Sequence, residues 1–332
     1  MLHQQILIKC GFYQRAILTQ GEQINKQLLF QISNQKKENK KRFNFLESAN
    51  NMNKILIFAL VYCFLIGISE SKRASQIPNT YDPDFSLKMA HYAWAARCQQ
   101  DTIQSWTCGT PCQLNPNITD VQVFYNSTHH SLGFIGYDYF NQMIVLSFRP
   151  TMDNLNWLYD FDYFKINYSY CQGCQVHRGF LFTWNDLRQN VLAYTQFLVS
   201  KYPNAPLIIT GHSLGAAVSM LAAVEINHYI KKVDYIYNYG QPRVGNKQFA
   251  DFCESIIPVI YRIIHNRDPV PHVPLQKMGF QHTRTEVWYN KNNTSYQVCK
   301  GSEDPQCSDK IKEYLPFDHA WYMGFNIGTD CP

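Results

Sequence analysis

The sequence predicts an α/β protein with a mostly parallel central sheet and helices on both faces. Three observations predict it. Leu207-Ile208-Ile209-Thr210-Gly211-His212 is an apolar run of the kind buried in a parallel sheet. It turns sharply at Ser213 into a helix rich in small residues, among them Gly215, Ala216, Ala217, Ala222 and Ala223. Strand-like and helical runs alternate from Val121 onward, the order that layers helices on both sides of a sheet.

The chain begins with a leader. Residues 1–51 are rich in Gln, Asn and Lys without a core pattern, and they read as a polar extension ahead of a start at Met52. Met52-Asn53-Lys54, the apolar run 55–68 and Ser69-Glu70-Ser71 give the positive head, short apolar core and small-residue exit of a secretory signal peptide over 52–71. The run is short for a membrane span; left uncleaved, it would tether the chain as a signal anchor. Residues 72–332 then form one domain, about 260 residues and long enough for one large core. The net charge of +5 resides in the leader, where residues 1–71 hold 9 basic and 4 acidic groups. The remainder has 21 of each sign, so nothing marks a nucleic-acid surface.

Within that domain, Phe85, Met89, Ala90, Tyr92 and Ala93 lay a loose stripe along a helix over 83–98. Strands follow at 121–125, 132–139 and 143–148. Asp186 reads as the N-terminal cap or first-turn residue of a helix running to about Lys201, with Leu187, Val191, Tyr194 and Leu198 inward. After the small-residue helix, 235–239, 259–265 and 286–289 read as further strands. Ligand sites in open α/β sheets lie at the carboxyl ends of strands. Ser213, Asp268 and the turn 148–151 all fall at such ends.

Nine of the eleven cysteines follow the leader. Cys108/Cys112, Cys171/Cys174 and Cys299/Cys307 flank loops as local staples would. Zinc is the rival for paired short spacings, and it is weakened by the oxidising compartment and the distance between the pairs. One bond between Cys98 and Cys331 would close the two ends of the domain, leaving Cys253 a buried thiol. Sequons stand at Asn117, Asn126, Asn167, Asn292 and Asn293.

A serine at the apex of strand–turn–helix, in G-x-S-x-G, is a nucleophile presented beside a base. It needs an imidazole to take its proton, a carboxylate to orient the imidazole and donors for the oxyanion. The chain order Ser, acid, His makes Asp268 the best acid, held in a stiff loop by Pro269 and Pro271. Of the later histidines, His265 precedes the acid, His272 is too close to fold back, and His282 reads as a structural polar residue. His319 remains as the base; its neighbour Asp318 is an alternative partner, though a sequence neighbour rarely faces the ring. His177, His212, Arg149 and Arg243 read as structural groups near the turn.

Several segments together carry a resemblance. They are Val145-Leu146-Ser147-Phe148-Arg149, Asn156-Trp157, Val176-His177-Arg178-Gly179-Phe180, Thr210 to Gly215, Tyr239-Gly240-Gln241-Pro242-Arg243-Val244-Gly245-Asn246, Asp268-Pro269-Val270-Pro271 and Glu286-Val287-Trp288-Tyr289. In this order the chain resembles the secreted fungal-type triacylglycerol lipases, the class 3 lipase family of the α/β-hydrolase fold, over most of 80–332. The resemblance implies a Ser213, Asp268, His319 triad with no metal or organic cofactor. It implies cross-links Cys98–Cys331, Cys108–Cys112 and Cys299–Cys307, with Cys171–Cys174 as an extra. It also implies an oxyanion hole from the Leu214 N–H and from Thr151. Pro150 stands where the family usually has Gly; a proline removes only its own N–H, so the Thr151 donor survives.

After Thr151, Met152, Leu155, Leu158 and Phe161 recur at helical spacing around Trp157. By the resemblance this stripe is a lid over Ser213; the plainer alternative is a surface helix packed on the core. The expected activity is hydrolysis of acylglycerol esters by an exported enzyme at an oil–water or membrane interface, with no obligate protein partner. Phospholipase A1 and a feruloyl-type esterase share the chemistry, and a non-catalytic lipid-binding protein shares the fold. An apolar lid stripe weighs against the feruloyl reading.

Overall fold

The computed structural model describes residues 80–151, 163–329 and Cys331. These belong to one compact unit, Gln76–Pro332. The expected leader, 1–51 and 52–71, and the expected lid residues Met152, Leu155, Trp157, Leu158 and Phe161 lie outside the described residues.

Helix α1 (Pro83–Ala95) opens the unit. Asp82 caps it, its Oδ1 accepting the N–H groups of Asp84 at 2.8 Å and Phe85 at 3.2 Å, and Pro83 supplies a preset φ at the first position. It ends three residues before the expected Cys98. Short helices α2 (Gln100–Gln104) and α3 (Thr110–Leu114) lead to β1 (Ile118–Asn126), β2 (Ser131–Asp138) and β3 (Met143–Phe148), an antiparallel meander. A hairpin of β4 (Lys165–Asn167) and β5 (Gln175–His177) precedes α4 (Arg178–Lys201). Then come β6 (Leu207–His212), α5 (Leu214–Tyr229), β7 (Tyr235–Tyr239), α6 (Lys247–Ile256) and β8 (Val259–His265). Strands β9 (Glu286–Tyr289), β10 (Tyr296–Val298) and the small hairpin β11 (Trp321–Tyr322) and β12 (Phe325–Asn326) complete the chain.

The main sheet has eight strands in the order β1-β2-β3-β6-β7-β8-β9-β10, parallel from β3 through β9. Side chains alternate across it with the period of a strand. Ile144, Leu146, Phe148, Leu207, Ile209 and Ile236 join a core with buried residues of α4, α5 and α6. Val145, Ile208, Tyr237, Tyr239 and Ile263 pack with Phe85, Met89 and Ala93 of α1 on the other face. Helices therefore cover both faces, and the continuous apolar strand runs are explained by burial on two sides.

Helix α4 begins eight residues before Asp186, which overturns the reading of Asp186 as its cap. The cap is His177, whose Nδ1 accepts the Phe180 N–H at 3.3 Å. The Asp186 carboxylate leaves the helix to bind Ser131 Oγ at 2.7 Å and His129 Nδ1 at 3.0 Å, tying α4 to the β1–β2 turn. A carboxylate used for a tertiary contact looks like a cap in sequence.

Candidate active site

Between β6 and α5 the backbone of Ser213 takes φ 57° and ψ −125°. A residue with a Cβ holds this region at a cost of about 1–3 kcal/mol, so the surrounding packing must enforce it. The enforcement is visible in the two glycines. A Cβ on Gly215 would sit 2.1 Å from the Phe148 carbonyl oxygen, and one on Gly211 would sit 2.5 Å from the Gly215 carbonyl carbon. The start of α5 is thus pressed against both β6 and the end of β3, and the turn that joins them projects the serine. The Ser213 N–H donates to the Tyr239 carbonyl at 2.9 Å, fastening the turn to β7.

That packing also sets the start of α5 beside the loop that leads to Thr151. Leu214 is the first residue of α5, and an N–H in the first helical turn has no intrahelical acceptor. Thr151 follows the end of β3 two residues after Arg149, whose carbonyl lies beside Gly215. The Arg149 guanidinium donates to the carbonyls of Ala96 at 3.3 Å and Cys98 at 2.6 Å, and Arg97 donates to the Thr151 carbonyl at 3.4 Å. These bonds anchor the loop to the segment after α1.

Asp268 follows β8 and is fully enclosed. Its Oδ1 accepts the Val270 N–H at 2.8 Å, its Oδ2 accepts the Tyr322 hydroxyl, and His319 Nδ1 lies 3.0 and 2.9 Å from the two oxygens. Burial pushes this carboxyl up, but the adjoining imidazole and the donated hydrogen bonds prevail and hold it below the usual carboxylate range. An ionised carboxylate only accepts, so the His319 proton resides on Nδ1. Nε2 is left with its lone pair; it is buried and has no hydrogen-bond partner among the described residues.

His319 sits on a single 3-10 turn, Pro316–His319, and its neighbours hold it on the Ser213 side of the sheet. His212 Nε2 donates to the His319 carbonyl at 2.8 Å, and the two rings stack at 4.5 Å. Burial, with His319 nearby, keeps His212 well below the ordinary imidazole range, so it packs as a neutral ring. Gly240, at φ 56°, leaves the remaining space: a Cβ there would lie 2.9 Å from Asp268 Oδ2 and from His319 Cε1 and Nδ1. Among the described residues no hydrogen bond joins Ser213 Oγ to His319, and such bonds are often loose before substrate binds.

Asp318 turns away from the imidazole. Its Oδ2 accepts Asn266 Nδ2 at 2.7 Å and the Arg267 N–H at 3.1 Å, which fastens the His319 turn to the loop bearing Asp268. Arg243 grips the same loop farther on, with a forked pair to Glu303 at 2.9 and 2.8 Å and bonds to the carbonyls of His272 and Pro274. His282 Nε2 donates to the Pro271 carbonyl at 2.7 Å and stays structural. Two members of the site escaped sequence reasoning. Tyr322 and Gly240 have no chemistry of their own; the signals were a tyrosine three residues beyond His319 and a glycine ending an apolar strand.

Four disulfides form, Cys98–Cys331, Cys108–Cys112, Cys171–Cys174 and Cys299–Cys307, and Cys253 is a buried thiol raised by burial. The metal-like cluster found among the described residues is Glu286, Cys299 and Cys307. Its two sulfurs are bonded to each other, and a disulfide offers no thiolate to zinc. No helix among the described residues is long and apolar enough to cross a membrane.

Comparison with known proteins places this geometry. The profile of the class 3 lipase family matches residues 145–278. The chain is 28% identical to a lipase of Rhizomucor miehei over 233 residues, covering 68% of this chain and 63% of that one. It is 34% identical over 163 residues to a secreted mono- and diacylglycerol lipase of Penicillium cyclopium, covering 49% of this chain and 53% of that one. The matched stretch therefore spans less than two thirds of these curated relatives. Among solved structures, lipase II from Rhizopus niveus superposes with a TM-score of 0.70 at 30% identity, covering 74% of this chain and 96% of that one.

Proposed function

Because the chain belongs to the class 3 lipase family, we propose that it is a secreted serine ester hydrolase acting on acylglycerols. The observation that carries the reading is the enclosed Asp268–His319 pair, which orients the imidazole through Nδ1 and leaves Nε2 without a partner among the described residues. Secretion is supported by the leader pattern, the disulfides and the secreted Penicillium relative. A glyceride substrate is supported by the names that the relatives carry.

The reaction follows from the residues. His319 Nε2 takes the hydroxyl proton of Ser213 as its oxygen bonds to the ester carbonyl carbon. The carbonyl oxygen, now an anion, is met by the Leu214 N–H and by Thr151; one such donor contributes about 3 kcal/mol to the transition state. His319 then returns the proton to the departing glycerol oxygen as the C–O bond breaks. Water attacks the acyl-serine by the same route and releases a fatty acid. Asp268 holds the imidazole in the tautomer this requires and stabilises it while it is charged.

An active-site phosphonate tests the assignment. It should label the wild-type chain once and leave Ser213→Ala unlabelled, and glyceride hydrolysis should vanish in the same variant. Persistent labelling of Ser213→Ala would place the nucleophile elsewhere. Binding of lipid with no labelling of wild type would favour a non-catalytic carrier.

A further inference from the structure

Each edge of the main sheet keeps some unpaired strand backbone among the described residues, and each adjoins a turn that carries an Asn-x-Ser/Thr acceptor. Among the described residues strand β1 pairs only with β2, and β10 only with β9. The first half of the β1 edge is covered. Gln104 Nε2 donates to the Val121 carbonyl, Gln104 Oε1 accepts the Val123 N–H at 3.0 Å, and Lys201 binds Asp120 at 2.7 Å. Alternation along the strand turns the Tyr125 N–H and carbonyl to the same free edge as those of Val123. Among the described residues no side chain hydrogen-bonds the Tyr125 backbone, and the residue is 41% exposed. The next residues are Asn126-Ser127-Thr128. Strand β10 is exposed along its whole length, with Tyr296 at 42% and Val298 at 48%. The turn before it holds two overlapping acceptors in Asn292-Asn293-Thr294-Ser295. An open ladder beside exposed apolar side chains is a template for pairing with a second chain.

The local geometry separates the acceptors. Asn126 Oδ1 accepts the N–H groups of Thr128 at 2.9 Å and His129 at 3.4 Å, which leaves the amide nitrogen on the side away from the turn. Asn292 is exposed. Asn293 has φ 55°, and both its amide oxygen and nitrogen are buried without partners, so a sugar on it would have to break the turn. Asn117 lies at the covered end of β1.

We propose that N-linked glycans on Asn126 and Asn292 cap the two open edges and keep the exported chain monomeric, with Asn293 unmodified. In the transfer, the amide nitrogen bonds to the anomeric carbon of a lipid pyrophosphate-linked oligosaccharide. The lipid pyrophosphate leaves, and the amide gives up one proton to solvent. The proposal rests on the export reading, so the test supplies export separately.

The full chain is produced in a glycosylating eukaryotic host behind that host's signal peptide, and a parallel culture with residues 52–71 reports on the native leader alone. Peptides released by peptide N-glycosidase in heavy-oxygen water should carry the label at Asn126 and Asn292 and not at Asn293. A missing label at Asn126 or Asn292, or a label at Asn293, overturns the proposal. The double variant Thr128→Ala with Thr294→Ala removes both acceptors and leaves the Asn293 sequon intact. Light scattering should then show at least a twofold rise in molar mass at micromolar concentration, with ester hydrolysis per chain unchanged on dilution; a monomer would overturn the capping role. Should that variant fail to fold, trimming the glycans of folded wild type with an endoglycosidase reads the same rise in mass. Loss of ester hydrolysis by the glycosylated wild type would instead refute the proposed function alone.

Discussion

At the scale of the residue, Asp268 shows how an enclosed charge is made useful. The carboxylate stays ionised because His319, Tyr322 and the Val270 N–H all donate to it. Asp268→Asn keeps the shape but presents an amide to the imidazole and so favours the wrong tautomer; kcat should fall about 10⁴-fold with the fold intact. The same substitution tests the acid stability of the protein. The folded carboxyl lies below its unfolded value of about 3.9, so its contribution is fully present above that pH and is lost as pH falls through the folded value. Between about pH 5 and 2 the wild-type Tm should therefore drop more steeply than that of Asp268→Asn; parallel curves would contradict the assignment. Tyr322→Phe removes one donor and no volume from the core, and should lower kcat about tenfold, a change of about 1.4 kcal/mol.

At the scale of the element, catalytic precision depends on where helices and turns are forced to meet. Gly240 closes β7 against the two polar partners, and Gly240→Ala adds a methyl within 2.9 Å of both at a positive φ. A displacement of this order costs about 100-fold in rate, so kcat should collapse while circular dichroism stays native; full activity would mean that the His319 turn yields freely. The elements themselves were legible to different degrees. The strands expected at 143–148, 235–239, 259–265 and 286–289 form with those bounds, because burial on two faces leaves mostly apolar runs between polar breaks. The beginning of α4 was not legible, since its cap is a histidine and its first turns carry few inward apolar residues beyond Phe180 and Trp184. In the site, the Asp268–His319 pairing followed from chain order, whereas Tyr322 and Gly240 acquire their roles only from long-range placement. Their partners stand 54 and 28 or more residues away, so no local pattern announces them.

At the scale of the whole molecule, the proposed base stands outside the main sheet. His319 belongs to a short turn held by hydrogen bonds from His212 to its carbonyl, from Asn266 and Arg267 to the Asp318 carboxylate, and from the Leu315 N–H to the Arg267 carbonyl. Twelve residues farther on, Cys331 is bonded to Cys98 beyond α1, closing a span of 233 residues. Helix α1 covers one face of the sheet, so this bond ties the segment bearing the base to a layer of the core. A cross-link of such separation restricts the unfolded chain strongly, and removing one typically costs about 2–5 kcal/mol. The paired substitution Cys98→Ala with Cys331→Ala leaves no stray thiol and should lower the unfolding free energy by that amount and raise m, because the unlinked denatured chain exposes more surface. Removing the four-residue Cys108–Cys112 link in the same way should cost less, since a short loop restricts the chain less. Equal losses for the two pairs would mean that native-state contacts around each bond, rather than chain restriction, set its contribution.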